Sequence, residues 1–492
     1  MVRRKIVRRK IVHRKIVHHK IARRRAVFVG RERELMALNE MYSGDKFECA
    51  VIYGRRRVGK TSLIQEFIKD KKAIYFLSLE TSGRVNLENF SRSIWRVEGG
   101  KIQTPPLFAS FIDALEAVGD LSCDERLILA IDEYPYLAGS VEGMSSMLQA
   151  QIDMRYMNSK LFLILCGSSM SFMEHQVLGY KSPVYGRRTA QFKIQPFSFF
   201  ESIRYHERFK ASDNAVIYGI TGGIPHYLSK IDGTKSLKRN IYDSFLNPTS
   251  YLFEEPSNLL KQELREPQMY NDVITAIAAG SSRLNEIATK TGLDTAICSK
   301  YLRTLISLGI VKKESPMTSL KSNKSNYRIA DNMFRFWYRF VPQNISLIQS
   351  GGAEEVYGSI EHQIPAYMGE VFEEICKQYL WAENLAKRLP FCFRDAGRWW
   401  GTNSIKKREE EVDIIASDGE RAIFCECKWT NKPVGSGVLE GLIEKSLMFS
   451  YKEKHYYLFS KSGFTDELKA GVGSNVRLIS FDDMVHERGR GR

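Results

Sequence analysis

Residues Val51–Thr61, VIYGRRRVGKT, constrain this chain more than any other stretch. An apolar run (Ala50, Val51, Ile52) leads into Gly54, four further residues, then Gly59, Lys60 and Thr61. This is the GxxxxGK[ST] pattern of a phosphate-binding loop. The preceding run reads as a buried strand. Leu63, Ile64, Phe67 and Ile68 follow at the spacing of one helix face. Strand, glycine loop, helix is the geometry the pattern requires. The glycines permit a tight path that turns successive N–H groups inward, toward phosphate oxygens. Gly54, Arg55, Arg56, Arg57, Val58, Gly59, Lys60, Thr61 and Ser62 are therefore the candidate nucleotide-binding segment. Lys60 is expected to reach the β- and γ-phosphates, and the Thr61 hydroxyl to ligate Mg²⁺. ATP and Mg²⁺ are the implied cofactors.

The segments around the loop extend this reading. Ala73–Leu79 reads as a second strand and Leu127–Ile131 as a third, ending in Asp132 and Glu133. An apolar strand closed by two carboxylates is a Walker B arrangement: Asp132 is expected to hold Mg²⁺ through water, and Glu133 to polarise the attacking water. Leu161–Cys166 is a fourth strand, followed by Gly167, Ser168 and Ser169. A polar residue there either senses the γ-phosphate or simply ends the strand. Tyr185, Gly186, Arg187 and Arg188 come next. Arg187 and Arg188 are candidate catalytic arginines, in cis or from a neighbouring subunit, against the default of two solvated side chains.

Composition bounds the partners less than it first suggests. The formal charge is +16 over 492 residues, with 43% hydrophobic residues. Twelve of the 73 basic residues lie in 1–25, which holds no acid; the other 61 face 57 acidic residues, leaving +4. Net charge of that size says little about nucleic acid. Residues 1–25 repeat a five-residue unit (RRKIV, RRKIV, HRKIV, HHKIA), a period matching neither helix nor strand. They are expected to stay unpacked, as a basic arm or as a translated upstream repeat with the true start nearer Ala26. Eight cysteines without a CxxC pair argue for a reduced, cytoplasmic protein. No apolar run reaches membrane-spanning length, so no membrane partner is expected.

Residues 26–204 read as the ATPase core and 205–268 as a helical lid, broken by Gly222, Gly223 and Pro225. Residues 269–330 fit a winged helix-turn-helix. Leu284, Ile287 and Ala288 form one helix face; Ile297, Tyr301, Leu302, Leu305 and Ile306 form the second. A wing runs out at Gly309–Val311 and returns at Tyr327–Ile329. Lys300 and Arg303 lie on the recognition helix, and Lys312, Lys313, Lys321 and Lys324 on the wing. DNA contact and an intramolecular regulatory role both remain open. Residues 331–359 form an aromatic docking helix and linker, and 360–492 a last α/β domain. Here Tyr367–Tyr379 is a helix carrying Glu370, Glu373 and Glu374, and strands Glu411–Ile415 and Arg421–Trp429 are joined at Asp418–Gly419. Asp413 lies on the first strand; Glu426 and Lys428, two apart, share a face of the second. This is a PD-(D/E)xK pattern. Asp413 and Glu426 are expected to bind Mg²⁺, with Lys428 activating water and Glu373 completing the catalytic set.

Together these residues resemble archaeal-type STAND-class ATPases of the AAA+-related group, fused to a restriction-endonuclease-like domain. The strings that carry the resemblance are FVGRE (Phe28–Glu32), GRRRVGKT (Gly54–Thr61), IDEYPYL (Ile131–Leu137), YGRR (Tyr185–Arg188), GGIP (Gly222–Pro225), GRWW (Gly397–Trp400), EVDII and ECKW. It implies an α/β fold with a P-loop core on a parallel sheet, and an ATP-dependent switch of slow turnover. It further implies ATP and DNA as partners and a nucleotide-dependent homo-oligomer. The alternatives are a non-cleaving DNA-binding regulator and an oligomerising signalling scaffold.

Overall fold

The computed structural model describes residues 28–97, 106–317, 325–403 and 406–489. The repeat at 1–25 and the wing lysines Lys321 and Lys324 lie outside the described residues. Strands β1 (Glu48–Tyr53), β3 (Leu127–Asp132) and β4 (Leu161–Gly167) are buried at every position. Runs apolar on both faces belong in the middle of a parallel sheet covered on both sides. With β2 (Ala73–Leu77) and β5 (Ala190–Lys193) they form the order β2-β3-β4-β1-β5, every pair parallel. β2 stops short of Leu79 because the Asn86 side chain bonds both Leu79 N and Leu79 O, at 3.0 Å each.

Alternation along β1 assigns each residue to a core. Ala50 and Ile52 pack with Leu38 of α1 (Glu32–Ser43) and with Leu63, Ile64 and Phe67 of α2 (Lys60–Ile68). Cys49, Val51 and Tyr53 face the opposite core, with Leu129, Leu148 and Leu163. Each such fully buried side chain contributes about 1.5–3 kcal/mol.

Helix α3 (Ala211–Thr221) ends at Gly222 and Gly223, whose φ angles are +64° and +67°. A Cβ on Gly223 would stand 2.1 Å from Phe197 O. Helix α4 (Tyr251–Glu263) follows, in the segment expected as a lid. Then come α5 (Pro267–Ala278), α6 (Leu284–Thr291), α7 (Thr295–Ser307) and the antiparallel hairpin β6 (Val311–Glu314) and β7 (Asn326–Ile329). Ile297, expected on the inner face of α7, is 48% exposed. The rest of the expected face holds: Leu302 and Leu305 are buried and Tyr301 and Ile306 pack against the same core, with Cys298 taking the buried position beside Ile297.

Helix α8 (Asn332–Phe340) buries Phe334, Phe336 and Trp337, and Trp337 Nε1 donates to Phe253 O at 2.7 Å. Its aromatic stripe is core. Helix α9 runs unbroken from Ala353 to Leu385, through Pro365. The domain boundary expected between 359 and 360 therefore falls inside a helix. One continuous apolar stripe explains this: Val356, Tyr357 and Ile360 precede the proline, and Tyr367, Val371, Phe372 and Ile375 follow it, all buried.

The C-terminal sheet is mixed. β8 (Asp395–Asn403), β9 (Arg408–Ser417) and β10 (Arg421–Lys428) are antiparallel; β11 (Glu453–Ser460) and β12 (Val476–Ser480) continue in parallel. Helix α10 (Ser436–Ser446) carries the chain from β10 to β11. The domain docks through a chain of tilted and edge-on ring contacts: Phe372 with Trp429 (5.1 Å), Trp429 with Phe481 (5.2 Å), and Phe481 with Phe199 of the ATPase side (5.7 Å). All eight cysteines are free thiols, and among the described residues no helix is long and apolar enough to cross a membrane.

The approach of Gly223 to Phe197 has a direct consequence. Gly223→Ala should cost about 2 kcal/mol or more through left-handed backbone strain and the contact with Phe197 O. This should read as a fall of roughly 4–8 °C in thermal midpoint. An unchanged midpoint would contradict the packing described.

Candidate functional site

The phosphate loop joins the end of β1 to the start of α2. Gly54 is required by space, because a Cβ there would stand 2.4 Å from Ile194 O. Gly59 takes the left-handed conformation, φ +91°, that opens α2. Lys60 is buried, and its Nζ donates to Gly54 O at 2.9 Å and Arg55 O at 3.0 Å. Burial lowers the Lys60 pKa, while Cys166, Glu133 and Asp132 oppose that shift. Thr61 Oγ1 donates to Asp132 Oδ2 at 2.7 Å, and Tyr75 OH donates to the same oxygen at 2.8 Å. Burial beside Asp132 pushes the Tyr75 phenol above its ordinary range. Glu133, at φ +55°, accepts from Ser168 N at 3.2 Å and Ser168 Oγ at 2.9 Å.

The structure thus gathers Lys60, Thr61, Asp132, Glu133 and Ser168 at one end of the parallel sheet. A cavity of about 480 Å³ opens there, lined also by Arg56, Arg57, Ser62, Pro225, His226 and Gln262. Tyr75, His226 and Gln262 were not singled out from sequence. Tyr75 was legible only as a strand residue, and His226 and Gln262 arrive from the lid, far along the chain. The FVGRE string braces this end of the sheet. Arg31 Nη2 donates to Val58 O at 3.0 Å and Gln195 O at 2.5 Å, and its guanidinium lies 4.6 Å from the Phe197 ring centre.

Arg187 and Arg188 are not brought to this site. Thr189, the next residue, pairs with Cys49 near the start of β1, whereas the phosphate loop follows its end. That separation is roughly 15 Å of strand. Arg187 is held by Asp153 through two 2.7 Å contacts, and Arg188 Nη1 donates to Leu178 O at 3.0 Å. Of the alternatives left open for Arg187 and Arg188, action in cis is not what this arrangement provides, because parallel pairing of β5 with β1 places the YGRR turn at the other end of the strands.

In the C-terminal domain the β9–β10 ladder ends at Cys425 opposite Ile414. Beyond it the strands part, and Asp413 Oδ2 accepts the Cys427 N–H at 2.8 Å. Glu426 lies between two ammonium groups, 2.7 Å from Lys428 Nζ and 3.2 Å from Lys445 Nζ of α10. Glu426 and Asp413 hold the Lys428 pKa above its ordinary value despite burial. Glu373, from α9, lies 3.8 Å from Arg398 Nη1, and Arg398 Nη2 bonds Glu411 at 2.9 Å. Burial is the first cause raising both the Asp413 and Glu373 carboxyls; Glu426 reinforces it at Asp413, and Asp413 at Glu373. Asp413 and Glu373 line a second cavity of about 480 Å³, bounded by Arg55 of the phosphate loop, Lys312 and Arg328 of the β6–β7 hairpin, and Arg335 of α8. Glu426 and Lys428 do not line it. Among the described residues no group of three or more His, Cys, Asp or Glu is placed to hold a metal ion. In this arrangement the expected Asp413–Glu426 pair is occupied by protein partners: each Glu426 oxygen contacts a lysine, and Asp413 accepts the Cys427 N–H.

A family model for an ATPase domain predominantly from Archaea matches residues 28–231. A second, described as archaeal and bacterial proteins of unknown function, matches residues 337–440. The uncharacterized protein MJECL04 of Methanocaldococcus jannaschii is 36% identical over 414 residues, 82% of this chain and 88% of that protein. Among solved structures, the Aeropyrum pernix ORC1 protein in complex with DNA is 15% identical, covering 66% of this chain and 95% of that one at a TM-score of 0.35. A STAND protein with a tetratricopeptide repeat sensor from Pyrococcus horikoshii is also 15% identical, covering 73% and 50% at a TM-score of 0.27.

Glu373 makes stability depend on pH with a definite sign. Burial and Asp413 raise its carboxyl from 4.5 to about 8. A carboxyl whose folded pKa exceeds its unfolded one binds its proton more tightly in the folded chain. Its stabilising contribution is full below pH 4.5 and is lost as pH rises through about 8. In EDTA, Glu373→Gln should flatten the fall in thermal midpoint between about pH 5 and pH 8 and raise the midpoint at the alkaline end. A slope identical to wild type would contradict this environment for Glu373.

Proposed function

This chain belongs to the archaeal ATPase family of MJECL04 from Methanocaldococcus jannaschii, and we propose that it is a slow, Mg²⁺-dependent ATP-hydrolysing switch. The observation that carries this reading is the meeting of Lys60, Thr61, Glu133 and Ser168 around one cavity, with Asp132 bonded to Thr61 beside it. The donor set fits a hard cation: the Thr61 hydroxyl and Asp132 carboxylate, 2.7 Å apart, supply oxygen at the mouth of the phosphate loop. When bound, Mg²⁺ neutralises charge on the phosphate oxygens. Lys60 exchanges its carbonyl partners for the β- and γ-phosphates. The N–H groups between Gly54 and Ser62 cradle the chain of phosphates. Glu133, once free of Ser168, orients and polarises the attacking water. Ser168 then faces the γ-phosphate, which makes it the residue that distinguishes triphosphate from diphosphate.

A second reading concerns the C-terminal domain. Helix α9, three antiparallel strands, α10 and a parallel strand are the element order of the PD-(D/E)xK fold, and Asp413 sits where its strands part. This supports a nuclease-like domain. The side chains do not fit an open metal site, because Lys428 and Lys445 hold Glu426 and the Cys427 N–H holds Asp413. No cleavage step is derived through a metal here. DNA association rests on Lys300 and Arg303, both exposed on α7. On the wing, Lys312 is turned to Glu314 at 2.5 Å and Arg328 to Glu370 at 2.8 Å, an intramolecular use.

Lys60→Ala should reduce ATP hydrolysis by at least about a hundredfold, or abolish nucleotide binding, while leaving the circular dichroism spectrum unchanged. Wild-type turnover by that variant would overturn the assignment. In a separate assay with Mg²⁺ and Mn²⁺, any DNA cleavage by the full chain should vanish in Asp413→Ala with ATP binding retained. Equal cleavage by the variant would exclude a role for Asp413.

A further inference from the structure

Three consecutive side chains of the phosphate loop leave the ATPase core. Arg55 Nη1 lies 2.6 Å from Asp331 Oδ2 at the N-cap of α8. Arg56 Nε lies 2.5 Å from Glu263 Oε1 at the last residue of α4. Arg57 is ion-paired to Glu255 within α4. The Asp331 and Glu255 side chains are 0% exposed, and those of Arg55 and Arg57 only 11% and 13%. Buried ion pairs add little net stability, yet losing one partner strands the other without solvent. Each pair therefore allows one placement of the helix that carries the acid.

The same loop residues face the nucleotide cavity. Arg56 and Arg57 line it, so a polyphosphate there competes for them with Glu263 and Glu255. Lys60 Nζ bonds Arg55 O, the carbonyl of the residue whose side chain grips Asp331. Drawing Lys60 onto phosphate releases that carbonyl. Beyond Asp331 the chain of contacts continues. Arg335 of α8 and Arg328 of the wing each lie 2.8 Å from an oxygen of Glu370, one turn of α9 before Glu373. Arg55 itself lines the Glu373–Asp413 cavity.

We propose that Arg55, Arg56 and Arg57 form a latch opened by the polyphosphate of a nucleoside triphosphate. In the conformation seen here they hold α4 and the start of α8 on the core, and through α8 they fix the elements that line the C-terminal carboxylate cavity. Triphosphate takes Arg56 and Arg57 from their glutamates and pulls Lys60 from Arg55 O, freeing α8 and α9 to move. This rests on the reading of the loop as a nucleotide site and supplies the regulation of that site.

Hydrogen exchange on the full chain tests it, with binding of Mg²⁺-ATPγS followed calorimetrically on the same samples. Peptides from 295–385 of the wild type should exchange roughly tenfold faster with nucleotide than without. The variant Glu255→Gln/Glu263→Gln/Asp331→Asn should show that faster exchange without nucleotide and no further rise with it. Asn at 331 keeps the oxygen that caps the Met333 and Phe334 N–H groups. Glu263→Gln alone, which leaves both buried pairs intact, should fold normally and give an intermediate rise. Nucleotide binding with unchanged exchange overturns the latch but not the nucleotide site. Wild-type exchange in both variants overturns the latch as well, and absence of binding overturns both.

Discussion

A buried ammonium group must have acceptors, and the organisation of this chain follows from how Lys60 obtains them. Its Nζ is enclosed between β1 and α2 and bonded to two carbonyls of its own loop. Those carbonyls are available only because Gly54 lets the backbone pass against Ile194 O and Gly59 turns it into the helix. The same turn fixes where Thr61 meets Asp132, and so where β3 must end relative to β1. It also points Arg55, Arg56 and Arg57 away from the core, toward the acids that position the domains downstream.

The parts of this arrangement that depend on neighbours in sequence were legible before the structure. Strand–loop–helix around residues 51–61 is local, and so is the alternation that sorts Val51 from Ile52. The helix stripe of α2 needed only its 3.6-residue period. What escaped depended on distance or on a competing local signal. Glu263, 207 residues from Arg56, carries no mark of its partner. The start of α9 before Tyr367 was missed, because a buried stripe continues across Pro365 and keeps the helix intact from Ala353. GRWW was noted as a string but not as strand β8, because its glycines and charges hide the pairing with β9. Arg187 and Arg188 look catalytic in a motif; only the parallel register of β5 shows which end of the sheet they occupy.

The C-terminal carboxylates illustrate how one set of residues can support two readings. Alternation along β10 places Glu426 and Lys428 together, as their spacing implies, but it also aims them at Lys445 of α10. Glu373 arrives from α9 on another side, and Asp413 stands between them where the ladder ends. Charges of like sign this close raise each other's pKa unless cations intervene. Lys428 and Lys445 pair with Glu426 and Arg398 with Glu373, but burial and the neighbouring carboxylates still raise the Asp413 and Glu373 carboxyls. The β6–β7 hairpin and α8 also line this cavity through Arg328 and Arg335, so access to it is tied to the placement of elements outside the domain.

The most direct test of the central claim is a structure of the chain bound to Mg²⁺ and a non-hydrolysable ATP analogue. The account predicts that Lys60 Nζ leaves Gly54 O and Arg55 O for β- and γ-phosphate oxygens, with Thr61 and Asp132 at the cation. An analogue bound elsewhere, with the loop carbonyls still holding Lys60, would contradict it.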